Sequence, residues 1–433
     1  MEIARISIPL ILSRLGEMIA SLIYFSFIGH FAVSALSDAS FAWALASFLT
    51  VVGIGFFSPL LVKVAGSNDL TRDNIAHDLN ISFRYAILFG ALIISCITIH
   101  TIIQYNSPTK DINLQSSKLL LILSLHLPAT FIQLTIFNFF NAIKITKYEL
   151  TYVWLFNFSI VIAGTLLTLT DKKIEATYFI SAYVVLKWLF TALTLCTFNL
   201  NIRAYIPQFR HYQNISRAAY AKFFLNGLPL ALCLGGESSL FFIFTLISKS
   251  LGDSSLAAYQ ASLHFLSIVY MISIGVGNGT GIVVAHHFTS KNFPSLRSSY
   301  IQGMSVGLSV LIPTLIASLL FIEHISLIYT SNTAIRRLIE KNIIISLPFI
   351  LFEYIYIITR TTLRSMGDFW VPALMTILSL NLLGLTTYSI LHLLYEHNLS
   401  AIFLTLTICS LTLMLLLLKR FLYIFRISKI LNR

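Results

Sequence analysis

Three glutamates, Glu17, Glu237 and Glu353, stand inside runs of apolar residues long enough to cross a bilayer. A carboxylate at such depth costs about 2.5–3.5 kcal/mol even on the lenient insertion scale, so the three together cost roughly 8–10 kcal/mol. A bound cation, a proton or a basic partner must offset that cost. The chemistry open to such groups is reversible capture of a small cation. Covalent catalysis is not expected: the sequence shows no metal-ligand cluster, nucleophile–base pair or phosphate-binding loop, and no enzyme is read here. The glycine-rich run GVGNGTG lies within an apolar stretch and reads as close helix packing.

The three acids have different neighbours. Glu237 follows Gly235 and Gly236, with no basic residue within a helical turn, which leaves it open to an ion or proton. Glu353 lies five residues after Pro348, whose ring deprives a carbonyl of its helical partner. Arg360 sits two turns further along the same face, as a relay or a resting partner of Glu353. Glu17 has Arg14 three residues before it, a spacing that allows a pair within one helix. Tyr270, at mid-depth in the eighth span, offers an oxygen to a cation. Glu237, Glu353 and Tyr270 are therefore the candidate Na⁺ or H⁺ site. Weaker candidates for a cargo cavity are Glu17, Tyr24, Phe241, Phe244, His264, Tyr354 with Tyr356, and Arg360. Aromatic faces suit flat cations, and His264 and His126 titrate near neutrality, but each has an ordinary packing role as its alternative.

These side chains need helices to hold them. The chain has 433 residues, 57% hydrophobic and 11% charged, with a mean hydropathy of +0.84. A soluble protein carries about 25% charged residues. The reading is an all-α polytopic membrane protein with twelve spans: about 6–28, 39–65, 79–103, 117–141, 150–170, 175–200, 219–248, 255–285, 296–320, 334–363, 370–394 and 399–424. No cleavable signal peptide is read, because 6–28 is too long for a signal core. Residues 1–200 form one six-helix lobe, 201–218 a polar cytoplasmic linker and 219–433 a second lobe. The net charge of +12 comes from Lys and Arg in short loops, 17 on one side against eight on the other. The positive-inside rule then places both termini in the cytoplasm, and nucleic acid is not an expected partner. The four cysteines, Cys96, Cys196, Cys233 and Cys409, lie singly in apolar runs and read as packing residues.

The two lobes are copies. At a spacing of 220 residues, Pro9–Glu17 matches Pro229–Glu237, Pro128 matches Pro348, Gln133 matches Glu353 and Lys144 matches Arg364. Six spans per copy is an even number, so the repeats are parallel and the pseudo-symmetric bundles share an axis along the membrane normal. That plan leaves a central cleft able to open to either side by rocking.

The GLPLALCLGGESSLF stretch, the SLAAYQASLHF stretch, VGNGTGIVVAHHFTSKN and TTLRSMGD together resemble multidrug and toxic compound extrusion (MATE) transporters over nearly the whole chain. The resemblance implies that Glu237 is the family's seventh-helix glutamate. It puts Glu353 at the tenth-helix acidic position and Tyr270 beside the cation site. It also exposes departures: Tyr24 stands where many members carry a first-helix aspartate, five residues before Gly29, and Ser331 and Asn332 replace acids near the start of the tenth span. The expected function is antiport of Na⁺ or H⁺ against amphiphilic, cationic drugs by an inner-membrane protein acting as a monomer, with no cofactor beyond the transported ion. The rival is a lipid-linked saccharide flippase of the same two-lobe plan, which would use Arg14, Arg84, Lys187 and Arg360 to hold a pyrophosphate. A receptor or assembly platform would have no use for mid-membrane acids.

Overall fold

Apolar runs of this length can satisfy their backbone N–H and C=O groups inside a bilayer by coiling into α-helices, and the chain does so. A computed structural model describes residues 2–32, 35–67, 73–106, 114–170, 175–206, 215–330, 332–394 and 399–431. Twelve spans long and apolar enough to cross a membrane lie among them, and the architecture is all-helical as the sequence indicates. Ser331, residues 207–214 of the polar 201–218 interval (Arg210 among them) and the loop residues Arg72, Lys110, Lys172, Lys173 and Arg433 fall outside the described residues.

By compactness the chain divides into an N-terminal unit, Leu12–Ala231, and a C-terminal unit made of Met1–Ile11 with Leu232–Arg433. Both divisions fall inside helices, and they stand one repeat length apart. The N-terminal unit holds most of α1 (Glu2–Phe31), then α2 (Leu36–Ala65), α3 (Asp73–Asn106), α4 (Leu114–Ser124), α5 (Leu127–Ala142), α6 (Lys147–Thr170), α7 (Ala176–Tyr205) and the start of α8 (Arg217–Ser250). Its fourth span is broken. The chain turns at Leu125 and His126, and Pro128 enters α5 in the first turn, where its missing N–H costs nothing. Every residue of α5 except Asn138 is buried, so this helix is the unit's centre.

The C-terminal unit holds the rest of α8, then α9 (Asp253–Thr289), α10 (Phe293–Leu320), a short α11 (Ile322–Tyr329), α12 (Thr333–Ser365), α13 (Trp370–Ile377), a π turn over Leu378–Leu382, α14 (Leu383–Leu394) and α15 (Ser400–Leu431). Here α12 is central, packed against α9 and α15. The Asn332 side chain caps it by accepting from Ala334 N at 2.9 Å and Ile335 N at 3.3 Å. Gly367, at φ +86°, supplies the left-handed residue just beyond its end. The next residue, Asp368, pairs with Arg420 of α15 at 2.8 Å. The glycine-rich run of α9 is a packing surface, as read from sequence. A Cβ on Gly277 would stand 3.0 Å from Ile357 of α12, and Ser365 Oγ donates to Gly281 O at 2.9 Å.

Candidate functional site

The C-terminal unit brings Glu237 of α8 and Glu353 of α12 to one place. Both are buried, 5% and 3% exposed. Tyr356, one turn beyond Glu353, joins them: its hydroxyl lies 2.9 Å from Glu237 Oε1 and 3.2 Å from Glu353 Oε1. One hydroxyl has one proton, so it serves one carboxylate at a time. Tyr270 of α9 is within electrostatic reach of both carboxylates and of Arg360.

Arg360 corrects the sequence reading twice. Its Nη1 lies 3.1 Å from Glu237 Oε2, so Glu237 is not without a basic partner, and Arg360 serves Glu237 instead of Glu353. The same nitrogen is 3.3 Å from Cys233 Sγ, one turn before Glu237. The cause is tertiary: α8 lays Cys233 and Glu237 against the α12 face that carries Arg360. The local charge is two carboxylates against one guanidinium. Arg364, one turn further on, is turned to Asn278 Oδ1 at 3.5 Å.

Beside Glu237 the eleventh span widens into the π turn, a feature that often marks functional positions. It carries Asn381, whose Oδ1 accepts from Ser239 Oγ at 3.3 Å. Gly236 makes room for this contact, since a Cβ there would stand 3.1 Å from Asn381 Nδ2. Sequence reading missed Asn381, because a π turn leaves no mark in hydropathy. Tyr356 was visible as an aromatic, and its spacing of three from Glu353 was the signal that it shares that face.

Other candidates go elsewhere. Tyr354 turns away from the acids and donates to Gly303 O of α10 at 2.6 Å, where Gly307 leaves room for its hydroxyl. Phe244 is fully buried in the core and Phe241 packs on that core's edge. His264 Nδ1 is 3.0 Å from the Tyr329 hydroxyl of α11. His126 stays on its own helix turn, with Nδ1 2.5 Å from Leu123 O.

In the N-terminal unit, Glu17 pairs with Arg14 at 2.7 Å, and its side chain is 42% exposed. Arg14 also reaches Glu149 at 3.2 Å. Glu149, 1% exposed, is a further buried acid that the sequence reading lacked; it stands in the first turn of α6, just outside the span read as 150–170. Asn141 donates to its other oxygen. Lys187 completes the group, lying in the field of both glutamates with its Nζ 5.1 Å over the Phe156 ring. Tyr24 is buried against Trp43, ring centroids 4.5 Å apart, at the edge of a cavity of about 20 Å³, room for about one water. That volume admits no drug.

A family profile described as MatE matches residues 9–167 and 229–390, once in each repeat. The chain is 24% identical over 394 residues to a "Probable multidrug resistance protein NorM" of Buchnera aphidicola, covering 84% of this chain and 83% of the relative. It is 31% identical over 169 residues to a "Multidrug resistance protein NorM" of Vibrio vulnificus, 39% of this chain and 37% of that one. A solved structure described as "MATE in complex with MaL6" shares the fold, with TM-score 0.87 over 99% of this chain and 96% of that one at 12% identity.

Proposed function

Since the chain belongs to the MATE family of membrane transporters, we propose that it exports drug-like molecules from bacterial cytoplasm in exchange for a monovalent cation, Na⁺ or H⁺, bound at Glu237 and Glu353. It is a transporter and not an enzyme. The observation that carries the coupling is the charge balance at the acid pair: two buried carboxylates share one arginine and one tyrosine. In a low-dielectric interior the uncompensated charge is costly, and one bound cation removes it.

The coupling logic follows. With the cation bound, Glu353 is neutralised while Glu237 keeps Arg360. With the cation gone, Tyr356 and Arg360 must divide themselves between two anions. The two states therefore favour different arrangements of α8 against α12, and linkage demands such differential affinity. Alternating access by one lobe moving against the other carries that difference to the cargo. The resistance-protein names of the relatives support drug cargo. An amphiphilic cation fits a protein that keeps acids in its spans. Residence in the inner membrane, cytoplasmic termini and action as a monomer belong to the same proposal.

The flippase reading loses its supports. Arg14 and Arg360 are engaged by carboxylates, Lys187 sits beside two more, and Arg84 Nη1 lies 2.5 Å from the Tyr220 hydroxyl. A cationic cradle for pyrophosphate would need these charges uncommitted. The test is efflux of a fluorescent cationic drug from proteoliposomes under separate Na⁺ and pH gradients, with Glu353→Gln beside the parent. Loss of gradient-driven efflux in the variant is expected; undiminished efflux would sink the proposal.

A further inference from the structure

The α12 face that carries Glu353 continues toward the Thr333 end with two more polar side chains, Ser346 and Asn342, both fully buried. At 100° per residue, Asn342, Ser346, Glu353, Tyr356 and Arg360 fall within a sector of about 80°. Ser346 donates to Asn342 O at 2.5 Å, and its hydroxyl oxygen keeps its acceptor capacity. Asn342 is different. Neither its Nδ2 nor its Oδ1 has a hydrogen-bond partner among the described residues. An asparagine that glues helices together does so by bonding across the interface, and this one makes no such bond. Buried polar atoms of this kind call for an explanation, and a water or a hydrated cation supplies one. The amide oxygen can take the ion or a water proton, while the amide nitrogen donates to a water oxygen.

We propose that Asn342 is a staging position on the route by which a small hydrated monovalent cation reaches Glu353 from the Thr333 end of α12. The proposal rests on the reading of Glu237 and Glu353 as the coupling pair. Along the helix axis Asn342 stands about 16 Å from Glu353, with Ser346 about 6 Å on the way. The acid pair, one negative charge in excess, draws the cation inward. Near the Thr333 end, Arg336 and Glu340 compensate each other at 3.8 Å and share Ser326, so they do not hold the ion there. Sodium and hydronium share the required chemistry, and the gradient that drives transport tells them apart.

The full chain in proteoliposomes, driven in turn by a Na⁺ gradient and a pH gradient, gives the test. Asn342→Leu should slow efflux about tenfold under whichever gradient drives the parent, with cargo affinity at equilibrium unchanged. Asn342→Ser should stay within about threefold of the parent. Asn342→Cys, in a transport-active background with the four native cysteines replaced, should react with a hydrophilic cationic methanethiosulfonate, and saturating driving cation should slow that reaction. Parent-rate efflux by Asn342→Leu beside an inactive Glu353→Gln overturns the route and leaves the coupling pair standing. Full efflux by Glu353→Gln overturns the pair itself. If Asn342→Leu fails to fold, labelling decides, and an unreactive Asn342→Cys in an active protein overturns the proposal.

Discussion

The two units begin from the same duplicated glutamate and treat it in opposite ways. In the N-terminal unit Glu17 and Glu149 meet Arg14 and Lys187, and the charges balance without help. In the C-terminal unit Arg360 is the one ion-pair partner of the two acids among the described residues, bound to Glu237, with Tyr356 between Glu237 and Glu353. Position by position, the first repeat has Gln133, Ile136 and Phe140 where the second has Glu353, Tyr356 and Arg360. One copy has settled its buried charge internally. The other leaves two carboxylates to one arginine, and on the proposed function that imbalance marks it as the coupling element.

The comparison can be broken by experiment. The largest effect is expected at the acid pair: Glu237→Gln and Glu353→Gln should each cut gradient-driven efflux by about 100-fold, the scale of losing roughly 3 kcal/mol of cation binding. Flux measured in proteoliposomes at either variant near the parental rate would erase the distinction. Next comes stability. Arg14→Ala strands Glu149 in the interior and should cost about 3–5 kcal/mol, seen as a clear drop in Tm in detergent. Adding Glu149→Gln should recover most of the loss, and an additive double variant would show that Arg14 does not serve Glu149. Tyr356→Phe removes a hydroxyl that serves two carboxylates, each such bond being worth about 1.5–3 kcal/mol. About a tenfold weaker dependence on driving cation is expected, read as the concentration giving half-maximal flux. The smallest effect belongs to Glu17→Gln, whose carboxylate is exposed and paired on its own helix; efflux within about twofold of the parent is expected. A loss as deep as that of Glu237→Gln would make the two units equal partners.

Much of the fold was legible because hydropathy, proline and the repeat spacing each act locally. Pro128 and Pro348 occupy matching positions, yet the first opens α5 just after the break in its span and the second lies inside an unbroken α12. That difference was not legible, since it depends on what packs around each helix. The site was legible as a set of acids and opaque as a set of partners. Glu237 and Arg360 are 123 residues apart, and only the seating of α8 on α12 brings them to 3.1 Å. Tyr354 and Tyr356 differ by two positions, which on a helix means nearly opposite faces; the period of 3.6 and the place of Glu353 single out Tyr356. Glu149 escaped because a first-turn acid looks like a loop residue whenever the span's edge is drawn one position late.

The π turn at Leu378–Leu382 has a consequence for tolerance to change. Such a turn holds one amino acid more than a regular coil would, so the eleventh span carries a spare residue. Deleting a single position there would let the segment relax to ordinary winding, with everything downstream keeping its azimuth. The same deletion a turn away would rotate the remainder of the span by about 100° and turn its core-facing side chains outward.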